Sequence, residues 1–349
     1  ANAGLATYPV KTGFECTEHC VRINNLMDQD TQTTPGLHRI PRTIWALGFV
    51  SMFMDVSSEM IHSLLPAFLV SVIGVGATAV GALEGVAEAT ALVAKMFSGT
   101  LSDWLGKRKG LALAGYAMAA LTKPLFPLAG SYSLVFAARI MDRIGKGVRG
   151  APRDALVADL VPESLRGASY GLRQTLDTVG ALAGPLAATF LMLLSGGDFR
   201  LVFWAAVPPA FVSVAMLAFF VHEPNGLSKS RAERPKLHWR EFRYFPPIFW
   251  SVVAIGAVFT LARFSEAFLV LRASSLGLGN AYLPLVMVAM NAVYAISAYP
   301  AGRLSDRMDR RFILAGGAAV LIAADVVLAT AAGTMALLVG VALWGLHMG

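Results

Sequence analysis

Asp55, Glu59 and His62 stand in one apolar stretch and could together bind or pass a proton. At i, i+4 and i+7 of an α-helix they share about 60° of arc. Two carboxylates beside an imidazole form a group that can titrate when buried. The same donors would suit a divalent transition metal, or equally a proton and an organic cation. A second stretch places Glu84, Glu88 and Lys95 on one face at i, i+4 and i+11. A third carries Arg139, Asp142, Arg143 and Lys146 along one broad stripe. A fourth sets Arg173 and Asp177 on the side of Gly180 and Gly184, and a fifth holds Arg263 and Glu266.

Each cluster has two readings: a proton or solute path, or an internal ion pair that offsets the cost of burial. For the first two stretches the path is favoured, because carboxylates outnumber nearby bases. The expected proton-coupling or substrate residues are therefore Asp55, Glu59, His62, Glu84, Glu88, Arg263 and Glu266. Arg139, Asp142, Arg143, Arg173 and Asp177 are expected to pair with one another's kind near a cytoplasmic gate. An anionic solute would use Arg139, Arg143 or Arg263. No metal site is assigned, and Asp325 and His347 are isolated.

These groups need elements that hold them in an apolar surround, and the composition supplies them. Of 349 residues, 56% are hydrophobic and 15% are charged, and the mean hydropathy is +0.61. A soluble domain of this size carries about 25% charged residues. From Ile44 onward, apolar runs long enough for a bilayer recur with short breaks. They predict helical spans at 44–72, 79–101, 110–128, 132–151, 168–195, 200–221, 247–271, 280–301, 311–332 and 334–349. Residues 1–40 read as a disordered polar tail without a signal peptide, with Met27 a candidate start. Its Cys16, His19 and Cys20 have metal-ligand types but form a short isolated cluster, and two cysteines make no disulfide framework. Residues 222–246, rich in Pro, Lys and Arg, read as a linker between a six-helix unit at 41–221 and a four-helix unit at 247–349.

The net charge of +7 points to basic loops on one membrane face and not to nucleic acid. Lys107, Arg108 and Lys109, then Arg149, Arg153 and Arg166, then Arg231, Arg234, Lys236 and Arg240, then Arg307, Arg310 and Arg311 fall at every second connection. The positive-inside rule puts those connections, and the N-terminus, in the cytoplasm.

Two segments repeat each other, each after the second helix of its half: Gly99-Thr-Leu-Ser-Asp103-Trp-Leu-Gly106-Lys107-Arg108 and Gly302-Arg-Leu-Ser-Asp306-Arg-Met-Asp309-Arg-Arg311. A glycine there lets helices approach, an aspartate can pair with arginine, and the basic run holds the loop on its side. Ser58-Glu59 and Ser265-Glu266 form a fainter echo. The repeat resembles the signature of the major facilitator superfamily between its second and third helices, departing at Trp104 and Asp309. Gly180-Ala-Leu-Ala-Gly184-Pro185 resembles that superfamily's helix-5 motif, which is associated mainly with proton-exchanging exporters. Arg139 to Gly147 resembles its arginine and glycine stretch in helix 4, with Arg143 where a glycine is usual. Residues 54–66 and 143–154 are most similar to its nickel-efflux type of metal-resistance exporter.

The resemblance covers residues 44–349 and implies an all-α polytopic membrane protein of two six-helix bundles, the second lacking its last two helices and part of its tenth. It implies a monomeric secondary transporter in the cell inner (plasma) membrane. The leading expectation is proton antiport exporting a small solute, such as a divalent metal or a drug-like compound. The alternatives are a proton symporter importing a metabolite, or a non-transporting receptor or fragment on the same fold. No His-Glu-x-x-His, Gly-x-Ser-x-Gly or phosphate-loop pattern is present, so no enzyme activity and no cofactor are expected.

Overall fold

The apolar runs become helices because a helix satisfies its own backbone polar groups, which lipid cannot do. The computed structural model describes residues 40–222, 245–305 and 308–349, and among them every regular element is helical. The tail at 1–39, most of the linker (223–244) and Asp306–Arg307 lie outside the described residues.

The ten expected spans are each present. The first is α1 (Arg42–His62) continued by α2 (Leu65–Ser71), the second α3 (Ala77–Leu105), and the third α4 (Arg108–Thr122) with α5 (Leu125–Leu128). The fourth and fifth are α6 (Tyr132–Leu160) and α7 (Glu163–Leu194), and the sixth is α8 (Phe199–Ala205) with α9 (Val207–Phe220). The seventh is α10 (Pro247–Ala262) with α11 (Ala267–Ser275), followed by α12 (Pro284–Ser305), α13 (Arg310–Thr330) and α14 (Thr334–Met348). Eight of these helical segments are long and apolar enough to cross a bilayer. At 29 residues α6 has the length, and it carries the charged stripe.

Prolines set most of the internal breaks. Pro66, Pro124 and Pro208 each stand within the first turn after, or directly at, a break, where a missing N–H costs least. The connection after α3 is closed by Gly106, whose φ of +66° is a left-handed cap that favours glycine. In the second copy of the motif the turn is built differently. Asp309 caps α13 by accepting the Arg311 N–H at 3.0 Å, which accounts for the aspartate where the repeat loses its glycine.

The connection between the fourth and fifth spans differs most from expectation. α6 runs nine residues past the expected end at 151, through Pro152, to Leu160. Arg153 therefore lies within a helix rather than in a connection, Arg149 stands inside the span as expected, and only Val161 and Pro162 connect α6 to α7. The polarity of the stretch after Gly150 mimicked a loop, whereas these charges face other helices and not water.

α7 packs on α1, and α6 packs on both α3 and α4. Small residues make these contacts close. A side chain beginning at Gly180 would lie 2.7 Å from the Met52 carbonyl oxygen, and one at Gly184 2.8 Å from that of Val56. Gly147 meets the Ala91 carbonyl at 2.6 Å, and Gly145 that of Gly115 at 2.8 Å, in the same sense. Gly99 is different: its nearest neighbour would be the Ala151 methyl at 3.5 Å, an ordinary contact. The close approach of α3 and α6 is thus made at Gly147, not at the motif glycine.

Candidate functional site

The close contacts leave the charged faces of α1, α3, α6 and α7 turned toward one another. On α1, Asp55 lies about 20 Å along the axis from Arg42 at 1.5 Å per residue, well inside the bilayer. Glu59 and His62 follow on the same face.

Most of the neighbouring charges are engaged. Arg139 on α6 grips Glu84 on α3 with two bonds, Nε to Oε1 at 3.1 Å and Nη2 to Oε2 at 2.8 Å. Such a forked contact is the strong form of a buried pair. Lys123, at the break between α4 and α5, donates to Asp142 at 2.9 Å and to Ser58 at 3.0 Å. It thereby joins three spans, and it is fully buried. Arg143 reaches the exposed Glu88 at 3.8 Å. His62 sits between two carboxylates, with Nδ1 3.6 Å from Glu59 and Nε2 3.8 Å from Glu84. These are ion-pair distances when the imidazole is protonated.

Arg173 pairs with Asp177 at 2.7 Å and with Asp154 at 3.9 Å, and Arg153 meets Asp154 at 3.2 Å. Arg153 also donates to Ser51 on α1. Arg149 lies over the Tyr116 ring, its guanidinium carbon 4.8 Å from the centroid. Asp55, Lys95 and Lys146 have no ion-pair partner within 4.0 Å among the described residues.

Between these helices and α12 lies a cavity of about 380 Å³. Asp55, Glu59, Glu88 and Asp177 line it with Lys95, Lys146, Arg149 and Arg153, together with Gln174, Thr178, Asn291 and Tyr294. A smaller pocket of about 20 Å³, room for roughly one water, adjoins it among Ser58, His62, Arg139, Asp142 and Arg143. Asn291 fastens α12 to α7 by donating to the Ala181 carbonyl at 3.2 Å.

Among the expected proton-coupling or substrate residues, the structure brings Asp55, Glu59, His62, Glu84 and Glu88 together. Arg263 and Glu266 stand instead at the break between α10 and α11, Arg263 exposed and Glu266 half-buried. Glu266 is within electrostatic reach of His62 and Glu59. The reasoning that carboxylates outnumber bases does not hold in three dimensions, because Lys123, Arg139, Arg143, Lys146 and Arg149 all enter the cluster from other helices. Arg139, Asp142 and Arg143 belong to this central cluster, away from the Arg108 end. Lys123, Asn291 and Tyr294 were not singled out; a lysine inside an apolar span and beside a proline was the available signal for Lys123.

At the Arg108 end, the motif residues make a separate knot. Arg108 reaches Asp159 at 2.7 Å and Asp103 at 3.7 Å and donates to the Ala155 carbonyl. Lys107 stands directly before the first turn of α4 without a capping side-chain bond, and Trp104 is 77% exposed. Gly302 lies in the last turns of α12, and its partner Asp306 is outside the described residues. Pro185 is buried inside α7, one residue beyond Gly184.

Comparison with known proteins agrees with this architecture. An uncharacterized MFS-type transporter of Methanocaldococcus jannaschii is 29% identical over 286 residues, covering 80% of this chain and 70% of its own length. An uncharacterized protein of Mycobacterium tuberculosis is 28% identical over 277 residues, covering 76% and 66%. The quinolone resistance protein NorA of Staphylococcus aureus is 21% identical over 221 residues, covering 62% and 55%. The chain thus spans between about half and seven-tenths of the length of these relatives. In structure it is similar to a D-xylose-proton symporter, with a TM-score of 0.63, 15% identity and 87% and 79% of the two chains covered. The pattern described as the Major Facilitator Superfamily matches residues 47–349. The chain belongs to the Major Facilitator Superfamily and is an integral, multi-pass membrane protein.

Proposed function

We propose that this protein is a proton-coupled antiporter that exports a small solute by alternating access, with its N-terminus and the Arg108 end in the cytoplasm. The observation that carries this is the difference in pairing among the buried carboxylates. Glu84 and Asp142 are locked by Arg139 and Lys123, whereas among the described residues Asp55 has no ion pair and Glu59 has only His62. Both of these line the cavity. A carboxylate that binds a proton in one state and releases it in another must not be held by a permanent cation. Glu59, His62 and the cavity offer that proton a place beside the solute.

The Gly180–Gly184 contact supports the coupling. It fixes α1 on α7 at the level of Asp55 and Glu59, so protonation there is felt by the packing that has to shift. The similarity to a quinolone resistance protein points the same way. Glu59, His62 and Glu84 stand together, but Glu84 is taken up by Arg139, so an organic solute fits better than a metal ion.

The test uses purified protein in proteoliposomes with an internal pH dye. Solutes from an organic panel should dissipate an imposed proton gradient in the exchange direction. Asp55→Asn and Glu59→Gln should remove proton movement while the protein still reconstitutes. Proton and solute moving in the same direction would establish symport instead. Undiminished proton flux in both variants would refute the assignment of these carboxylates.

A further inference from the structure

The antiport reading leaves the chemical class of the solute open, and the distribution of unpaired charge around the cavity narrows it. We infer that the cavity takes a small zwitterion, a solute carrying one cationic and one anionic group. The inference rests on the transport reading for its purpose, and on the geometry of the cavity for its content.

The cavity wall carries four carboxylates and four cations. Setting aside those held by neighbours leaves charge of both signs. Asp55 remains on one side, and Lys95, Lys146 and Arg149 on others, with no pair within 4.0 Å joining them. Arg149 is the informative one. Only 5% of it is exposed, yet its Nη1 has no hydrogen-bond acceptor. No carboxylate lies within ion-pair distance of this guanidinium among the described residues, so an anionic group entering the cavity that Arg149 lines can pair with it.

A solute of single charge would be poorly served. A lone cation beside Asp55 would face three unneutralised cations, and a lone anion at Arg149 would leave Asp55 without a partner. A zwitterion satisfies both ends, and charges buried together with partners are the ones a low-dielectric site tolerates. Apolar surface comes from Ala91, Leu92 and Ala181 and from the side-chain stems, and the charged groups of both signs set among it fix where a solute's own charges must lie. The volume of about 380 Å³ is near the small end of ligand sites, about 300–1,000 Å³. Asn291 and Tyr294 bring neutral hydrogen-bonding groups from α12, so a bound solute would touch both halves of the chain.

The test is thermal unfolding of the purified full chain in detergent, read by tryptophan fluorescence, with charge-matched sets of compounds. One set is glutamine, N-acetylglutamine and glutaminamide; a second is glycylglycine with its N-acetyl and amide derivatives; a third is glycine betaine with choline. Tetraphenylphosphonium serves as a lipophilic cation. At least one zwitterion should raise the midpoint by several degrees, while its single-charge relatives at equal concentration leave it nearly unchanged. Arg149→Gln and Asp55→Asn should each weaken that binding at least about tenfold, as removal of one partner from a buried charge contact does. Lys146→Gln, which replaces an exposed cavity side chain, supplies the same reading if Arg149→Gln does not fold. Arg166→Gln, outside the cavity, should bind like the parent.

Stabilisation by a single-charge compound or by tetraphenylphosphonium as strong as by any zwitterion would overturn the inference. So would a panel in which no zwitterion stabilises. Zwitterion binding without uptake into proteoliposomes would refute transport and leave the site standing. Uptake of tetraphenylphosphonium without zwitterion binding would do the reverse.

Discussion

The Cβ of Glu59 lies 2.8 Å from the point where a side chain on Gly184 would begin. A carboxylate that lines the cavity is thus set on a backbone contact that tolerates no side chain. Gly180 repeats the arrangement one turn away, 3.0 Å from the Cβ of Asp55. Sequence motif and candidate proton site are one structure.

Gly184→Ala should therefore push α1 from α7, lowering stability by about 1–3 kcal/mol as overpacking does and reducing transport more than expression. Gly171→Ala, on the same helix with nothing within 4 Å of its new methyl, should be neutral or stabilising by up to about 1 kcal/mol, the Gly-to-Ala helix difference. Thermal midpoints of the two variants in one detergent check this. Equal losses would show that the α1–α7 contact is looser than described.

Arg139 and Glu84 should behave as a unit. Either Arg139→Gln or Glu84→Gln leaves a buried partner unpaired and should cost about 3–5 kcal/mol. The double variant Arg139→Met with Glu84→Met should recover most of that loss. A double-mutant cycle on unfolding midpoints measures the coupling, and additive losses would contradict the forked contact.

At the Arg108 knot, Gly106→Ala places a Cβ on a residue at φ +66°. The expected cost is about 1–2 kcal/mol, with Gly106→Asn milder because asparagine tolerates that conformation. Limited proteolysis of the turn should rise in the same order.

Arg272 on α11 donates to the carbonyls of Leu328, Ala329 and Ala331 at the end of α13, at 3.0, 3.2 and 2.8 Å. These carbonyls have no partner further along the helix. Arg272→Ala should destabilise by about 1.5–3 kcal/mol, the range for bonds to a charged group. Amide exchange at 334–337 should quicken before that of α1.

The spans were legible because bilayer crossing demands a long apolar run, and hydropathy records it directly. The faces of charge were legible too, since Asp55, Glu59 and His62 repeat with the helix. Their partners were not. Glu84 and Arg139 lie on different helices, and nothing local to either residue specifies which helix will face it. Lys123 looked unremarkable beside a proline until the fold placed it against Asp142. Arg153 read as part of a connection because polarity normally means water, whereas here it means other charges. Asn291 and Tyr294 enter the cavity from the far half of the chain, which no spacing within α1 to α7 could announce.

The pairing also has an electrical consequence. A charge moved through the full membrane potential exchanges about 2.3 kcal/mol per 100 mV. Arg139 with Glu84 and Lys123 with Asp142 would cross that field as nearly neutral dipoles, contributing almost nothing however far their helices tilt. Voltage acts on what is left unmatched, and in this bundle that is chiefly Asp55, Lys95, Lys146 and Arg149. Neutralising the first or the last of these should therefore change how steeply transport depends on membrane voltage, whereas replacing either locked pair by apolar residues should leave that slope in place.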